Sequence, residues 1–504
     1  MSSKKSYNNN NNNINSNPYF ISFFVILTFV LTFLVVSLDT SLYNVSYFAN
    51  VSIFSLGTPR IASKLDECEG KFIYIQNLPS QFNDDLLKNC STLNPWANMC
   101  NPLSNAGLGP HLNETDDLEV FSNSSWFATN QFSLEVIFHT RMKQYKCLTN
   151  DSSKAAAIFV PFYAGLDVGR NLWKNVASIK DKSSIELVRC LKKTREWTKM
   201  YGRDHFLVVG RITWDFRRQT NKDGDWGNCL FFLPEVKNMT SLIIESSPWN
   251  NTDFAVPYPT YFHPSSDQEV VNWQEKIRRK NRPYLFSFVG APRPQLNDSI
   301  RNDIINQCLG SKNKHCKFMK CDNISKNCRK PRNVMKLFQK SVFCLQPPGD
   351  SYTRRSAFDS ILAGCIPVFF HPASAYVQYT WHLPRNYTMY SVFIPMEDVK
   401  NGSLSIEKKL VSISKDEIEN MREEVIKLIP RVVYANPKAK LEKFEDAFDV
   451  SINEVLKRVE DIKKVIKEGV NSTYESFPEE FSWKYNFFGG LENRMWDRYF
   501  ERHG

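Results

Sequence analysis

Val342-Phe343-Cys344-Leu345-Gln346-Pro347-Pro348-Gly349-Asp350-Ser351-Tyr352-Thr353-Arg354-Arg355-Ser356-Ala357-Phe358-Asp359 is the stretch on which the fold turns. Val342 to Leu345 is an apolar run of strand length. Gln346-Pro347-Pro348-Gly349 stops it, because proline lacks a ladder donor and glycine permits a tight turn. Arg355 to Ala363 then has helical spacing, and Ile366-Pro367-Val368-Phe369-Phe370 is a further apolar run. Apolar strands alternating with helices indicate a parallel α/β sheet covered on both faces.

The alternation extends both ways. Upstream lie the strand Tyr284–Val289, ending at Gly290, and the helical Val334–Lys340. Downstream lie Val392-Phe393-Ile394 and a charged helical region over 405–470. An earlier series reads the same way: strands at Phe72–Ile75, Ala155–Val160, His205–Val209 and Ser241–Ile244, with helices at Phe132–Tyr145 and Ser184–Tyr201. A Pro-rich break near 257–275 separates the series. The expected organisation is an α/β domain at 68–265 and a second at 266–504, facing a cleft. Ligands of such sheets sit at strand C-termini, so the loops after strands hold the candidate residues.

In the opening stretch, Gly349, Asp350 and Ser351 form a turn feeding a helix that starts with Arg354 and Arg355. A helix N-terminus with guanidinium forks suits a diphosphate. Asp359, one turn further on, suits ribose hydroxyls. The alternative is a helix start whose arginines pair with surface acids. In the first series, Gly210-Arg211-Ile212-Thr213-Trp214-Asp215 follows a strand. Asp215 is placed to accept a proton, or to pair with Arg217 or Arg218. His205 is a second catalytic candidate, although it opens its strand, a position more usual for packing. Asp167, after Pro161–Leu166, is a further cleft candidate. Asp223-Gly224-Asp225 has the form of a divalent-metal triplet, but it lies in a polar loop and not directly after a strand. No metal is expected to be needed there.

The chain has 504 residues and a formal charge of +11. Residues 271–340 carry 17 Lys and Arg against 4 Asp and Glu, so the rest is slightly acidic. The basicity belongs to the start of the second series and not to a nucleic-acid-binding surface. Residues 1–18 are Asn-rich and read as a disordered cytosolic tail. Residues 19–38 carry no charge, enough helix to span a membrane. Lys4 and Lys5 precede the span and Asp39 follows it, so the tail is expected in the cytosol and residues 39–504 on the far side. The run is long for a cleaved leader and lacks a small-residue site, so it reads as a signal anchor, with 39–67 as a stem. Thirteen Asn-x-Ser/Thr sequons and twelve cysteines, all beyond the span, suit a glycosylated, disulfide-bonded body in an oxidising lumen. The pairing is open. Cys308, Cys316, Cys321 and Cys328 have poor zinc spacing, and Cys344 and Cys365, in apolar runs, read as buried thiols.

Several runs closely resemble the exostosin-like glycosyltransferase family 47, in its plant xyloglucan galactosyltransferase branch. They include Val160–Asp167, Gly202–Phe206, Arg211–Arg218, Val256–Pro264 and Phe343–Phe370. The resemblance covers about residues 70–415. It implies a GT-B fold of two Rossmann-like domains and an inverting, metal-independent transfer from a UDP-sugar, with galactose first and galacturonic acid or arabinose as alternatives. It suggests that Arg354, Arg355 and Asp359 hold the donor, beside which Gly349, Asp350, Ser351, Arg211 and Asp167 stand as further substrate-binding candidates. It implies a xyloglucan acceptor whose xylose hydroxyl is deprotonated by Asp215 or another cleft carboxylate. It also implies a single-pass type II protein of the Golgi membrane, in complexes with other cell-wall glycosyltransferases, and no nucleic acid. A silent scaffold subunit is the other class of reading. Trp214, Tyr258 and Tyr261 are candidates for a polysaccharide groove, with packing in the core as the equal alternative. One departure is Ala106, where the branch usually has glycine.

Overall fold

The computed structural model describes residues 67–500, apart from 113–118, 122–124, 297–298, 312–314, 323–326, 440 and 469–495. The expected tail, the apolar span at 19–38, the stem as far as residue 66 and the sequons at Asn44, Asn50, Asn113, Asn123, Asn297, Asn323 and Asn471 lie outside the described residues. Among the described residues no helix is long and apolar enough to cross a membrane.

Two five-stranded parallel sheets carry the fold. β1 (Ile73–Ile75), β2 (Ala157–Val160), β3 (His205–Ile212), β4 (Thr240–Glu245) and β5 (Asp253–Ala255) lie in chain order in the first. A parallel bridge from Ile73 to Leu148 adds a short outer edge beside β1. The second sheet holds β6 (Tyr284–Gly290), β7 (Cys316–Lys320), β8 (Ser341–Gln346), β9 (Ile366–Phe369) and β10 (Val392–Phe393), in the order β10-β9-β8-β6-β7. In the second half the first strand, β6, has its immediate successor on one side and the later strands on the other, so the connections diverge at the strand C-termini and leave a crevice between β6 and β8.

The helices that matter are α1 (Leu134–Met142), α2 (Ala164–Asn171), α3 (Ala177–Leu191), α4 (Arg195–Met200), α5 (Asp267–Arg278), α6 (Arg301–Leu309), α7 (Pro331–Gln339), α8 (Arg355–Leu362), α9 (Lys415–Lys427) and α10 (Ala447–Lys467). Alternate strand residues point to opposite faces. Phe159, Phe206, Val208 and Leu242 join Phe138 of α1 in one cluster. Val160, Leu207, Val209 and Ile243 join Val168, Leu187 and Trp197 in another. The single helix expected at 184–201 is two, because Thr194 caps α4 by accepting from Trp197 N. Within the expected break, Ser266 caps α5 in the same way, accepting from Glu269 N.

α10 lies in the stretch assigned to the second half but packs on the first. Phe448 sits 4.7 Å from Phe138, ring centre to ring centre. Arg458 Nε donates to Thr240 Oγ1 at 3.2 Å, and Lys463 Nζ to Ala156 O at 2.8 Å. Five disulfides brace the molecule: Cys68–Cys147, Cys90–Cys100, Cys308–Cys316, Cys321–Cys328 and Cys344–Cys365. Cys344 and Cys365 are thus bonded to each other and are not free thiols. Their cross-link closes β8 onto the end of α8 and so brackets the loop that opened the sequence reading.

Candidate functional site

A cavity of about 660 Å³ opens at the C-termini of β6 and β8. Its second-half wall includes Gly290, Arg293, Arg301, Gln346, Asp350, Ser351, Arg354 and Arg355. Its first-half wall includes Phe132, Arg211, Trp214, Asp215, Trp226 and Tyr258. Cavities of this size suit a ligand of nucleotide-sugar dimensions.

The second-half wall is strongly cationic. Burial first, and then the positive charges of Arg354 and Arg293, pull the pKa of Arg301 down to about 10. Asp350 is the carboxylate that offsets them, 3.4 Å from Arg293 Nη2. Like charges crowded together are stabilised by an anion between them. The local folding explains the crowding. Arg301 Nε donates to Pro348 O at 3.0 Å, and Arg354 Nη1 donates to Ser351 Oγ at 3.1 Å and Thr353 O at 2.8 Å. Gly349 permits this, since a Cβ there would come within 1.8 Å of Arg354 Nη2. Gly349 itself lines an adjoining cavity, which shares Trp214, Asp350 and Ser351 with the first.

Several buried donors of this wall lack a protein partner: Gln346 Nε2, Arg293 Nε and Arg355 Nη2. Buried polar groups are nearly always paired. They belong to residues that line the cavity, and a wall so rich in guanidinium and amide N–H groups suits an acceptor-rich ligand. Arg355 is otherwise held in place: Nη1 donates to Thr129 O at 2.5 Å, and its guanidinium lies 3.6 Å from the Tyr261 ring centre.

On the opposite wall, Asp215 sits in a helical turn after β3 and is buried. Its Oδ2 accepts from Arg211 Nε at 2.6 Å and its Oδ1 from Trp226 Nε1 at 2.8 Å. The partner is Arg211, and not Arg217 or Arg218. Arg217 goes to Asp253 and Arg218 to Asp181.

The structure does not bring all the expected residues to the cavity. His205 lies at the opposite, N-terminal end of β3, fully enclosed, with Nδ1 2.7 Å from Asp204 Oδ1 and its ring against Trp197. Asp167 faces away, bonded to Arg170 at 2.6 Å and Ser183 at 2.9 Å. Asp359 is buried 3.4 Å from Arg355 Nε, where burial raises its pKa to about 6. It supports Arg355 and does not line the cavity. Tyr258 is buried and Tyr261 underlies Arg355, so neither forms an exposed groove. Asp223 accepts from Ala177 N and Asp225 from Thr220 Oγ1, so both serve the loop.

Sequence reading missed Arg293, Arg301 and above all Glu245. This buried carboxylate ends β4 and grips the second half's loop. Its Oε2 accepts from Thr353 N at 2.7 Å and Ser351 Oγ at 2.8 Å, and its Oε1 from Trp214 Nε1 at 3.1 Å. The available signal was its place at the end of an apolar strand.

Comparison with known proteins agrees with this architecture. The exostosin GT47 domain model matches residues 67–410. The chain is 55% identical over 446 residues to xyloglucan galactosyltransferase MUR3 of Arabidopsis thaliana, covering 88% of this chain and 71% of that one. It is 52% identical over 417 residues to a protein of the same plant named probable xyloglucan galactosyltransferase GT12, covering 82% and 81%. It is 45% identical over 407 residues to that plant's xyloglucan-specific galacturonosyltransferase 1, covering 80% and 59%. With the model spanning both sheets and the cavity between them, the chain belongs to the exostosin GT47 family of glycosyltransferases.

Proposed function

We propose that the protein transfers galactose from UDP-galactose to xylose side chains of xyloglucan, with inversion. The observation that carries this is the set of crowded arginines that line one cavity with Asp215 on its opposite wall. The diphosphate lies against Arg293, Arg301, Arg354 and the Nη2 of Arg355. The xylose hydroxyl oxygen attacks the anomeric carbon from the opposite face. The carbon–oxygen bond to the β-phosphate breaks, and its electron pair leaves on UDP, where the arginines stabilise the developing charge. The hydroxyl proton goes to Asp215. Arg211 and Trp226 occupy one lone pair on each oxygen, and each retains another. In this reading the guanidinium groups do the work of a divalent ion, so transfer survives EDTA.

A galacturonosyl donor is the second reading. It is favoured by the galacturonosyltransferase relative and by a cationic wall that would accommodate a carboxylate. The setting proposed is the Golgi lumen, with residues 19–38 as the type II anchor and association with other cell-wall glycosyltransferases. The five disulfides support an oxidising compartment.

The test is to incubate the full chain, purified in detergent, with labelled UDP-sugars and galactose-free xyloglucan, with and without EDTA. Label should pass to the polymer from UDP-galactose in both conditions. Absence of transfer from every donor rejects the enzyme reading. Preference for UDP-galacturonic acid selects the second reading.

A further inference from the structure

Three tryptophans from three separate loops meet on the outer surface beside the cavity. Trp96, Trp173 and Trp226 are 69%, 54% and 46% exposed. The ring centres of Trp96 and Trp173 lie 4.6 Å apart, and those of Trp173 and Trp226 lie 5.0 Å apart. Folded proteins rarely leave large aromatics in contact with water, and a contiguous set of them marks a binding surface. The row has a direction. Trp226 lines the cavity and donates its indole N–H to Asp215, while Trp96 and Trp173 lead outward from it.

The loops beneath the rings are braced. The Cys90–Cys100 disulfide closes the loop that carries Trp96. Ala177 N donates to Asp223 Oδ1 at 2.8 Å, and Gly224 N to Asn175 O at 2.7 Å, so the Trp226 loop is tied to the segment after Trp173. Gly227 has φ +78° and a Cβ there would meet Asp215 O at 2.7 Å, which seats this loop against the Asp215 turn. Rigid aromatics present large contact area at low entropic cost. The stacked indole faces suit a ligand with apolar C–H faces and hydroxyl edges.

We propose that Trp96, Trp173 and Trp226 form a track that holds the polysaccharide acceptor outside the cavity, stacking its sugar faces and feeding a side chain toward Asp215. The inference rests on the acceptor reading above and extends it to the part of the polymer that does not react.

The test compares the wild-type chain with Trp96→Ala/Trp173→Ala and with Trp96→Phe/Trp173→Phe. Both positions are exposed and neither lines the cavity. KM is measured for polymeric galactose-free xyloglucan and for a short oligosaccharide of it, alongside UDP affinity by calorimetry and polymer binding by tryptophan fluorescence without donor. The alanine pair should raise the polymer KM about tenfold, leave the oligosaccharide KM and UDP affinity within about twofold, and lose polymer binding; the phenylalanine pair should regain most of it. An unchanged polymer KM and binding in the alanine pair overturns the track while leaving the transferase reading intact. If the wild-type chain transfers nothing to xyloglucan, the transferase reading fails, and absence of polymer binding then rejects the track separately. A shift from dimer to monomer in the alanine pair, seen by sedimentation, would show that a second copy covers the row and also overturns it.

Discussion

Glu245→Gln is nearly isosteric, yet it should disable the loop that carries the arginines. In the structure both carboxylate oxygens receive N–H donors that cannot reverse, Thr353 N on Oε2 and Trp214 Nε1 on Oε1. Glutamine offers one oxygen and one NH₂. Whichever way the amide turns, its NH₂ faces an N–H, and one buried donor goes unpaired. An unsatisfied buried donor costs about 1–3 kcal/mol, and lost charge assistance adds to it. If the cost falls on the loop conformation that binds donor, UDP affinity drops roughly 5- to 150-fold. Calorimetric titration with UDP reads this directly, and urea unfolding reads the part felt by the whole fold. The hydroxyls of Ser351 and Thr353 can rotate to suit either orientation of the amide, but the backbone N–H of Thr353 cannot. UDP affinity within twofold of wild type, with an unchanged unfolding midpoint, would refute the idea that Glu245 holds the donor loop in register.

Arg301→Ala should lower UDP affinity by about tenfold or more, the worth of one charge-assisted bond; calorimetry checks it. Asp359 has its pKa raised to about 6 from 3.8, so the folded state binds its proton more tightly than the unfolded chain does. Its contribution therefore favours folding below about pH 4 and is lost as pH rises through 6, a change of about 3 kcal/mol. Asp359→Asn should flatten that part of the urea-midpoint profile against pH. Ala106 sits at φ +59°, a left-handed conformation that costs a residue with a Cβ about 1–2 kcal/mol. Ala106→Gly should raise unfolding stability by about 1 kcal/mol after the entropy loss of glycine. Cys344→Ala/Cys365→Ala opens a bridge of sequence separation 21 and should cost about 3 kcal/mol, measured by urea unfolding, with a parallel loss of UDP affinity because the arginine loop lies inside it.

Eight of the ten strands are visible in the sequence as apolar runs, because buried parallel strands have little choice of residue. β7 and β5 are not. Cys316-Lys317-Phe318-Met319-Lys320 is a half-exposed edge, and its cysteines draw attention to disulfide or metal chemistry. Asp253-Phe254-Ala255 is three residues long and begins with an acid two of whose partners, Thr213 and Arg217, lie some forty residues away in the chain. The site shows the same division. Gly349, Arg354 and Arg355 are legible because the turn, the helix start and the charge stand together in the chain. Arg301 and Glu245 are not, since each acts through a loop that is distant in sequence. His205 and Asp167 look functional by residue type, but a strand's N-terminal end and an inward helix face keep them from the cavity. The Ser266–Glu269 helix start was readable as a capping pattern but was obscured by the prolines before it.

The return of α10 to the first sheet has a consequence for the order of events during synthesis. Phe138 and Tyr145 rest against Phe448, and Phe254 lies under Arg458. A chain delivered N-terminus first completes the strands β1–β5 while this cover is still some two hundred residues from being made. The first half must wait with an aromatic face bare until the second half has passed. A chain that ends before residue 447 therefore lacks the cover for its own first sheet.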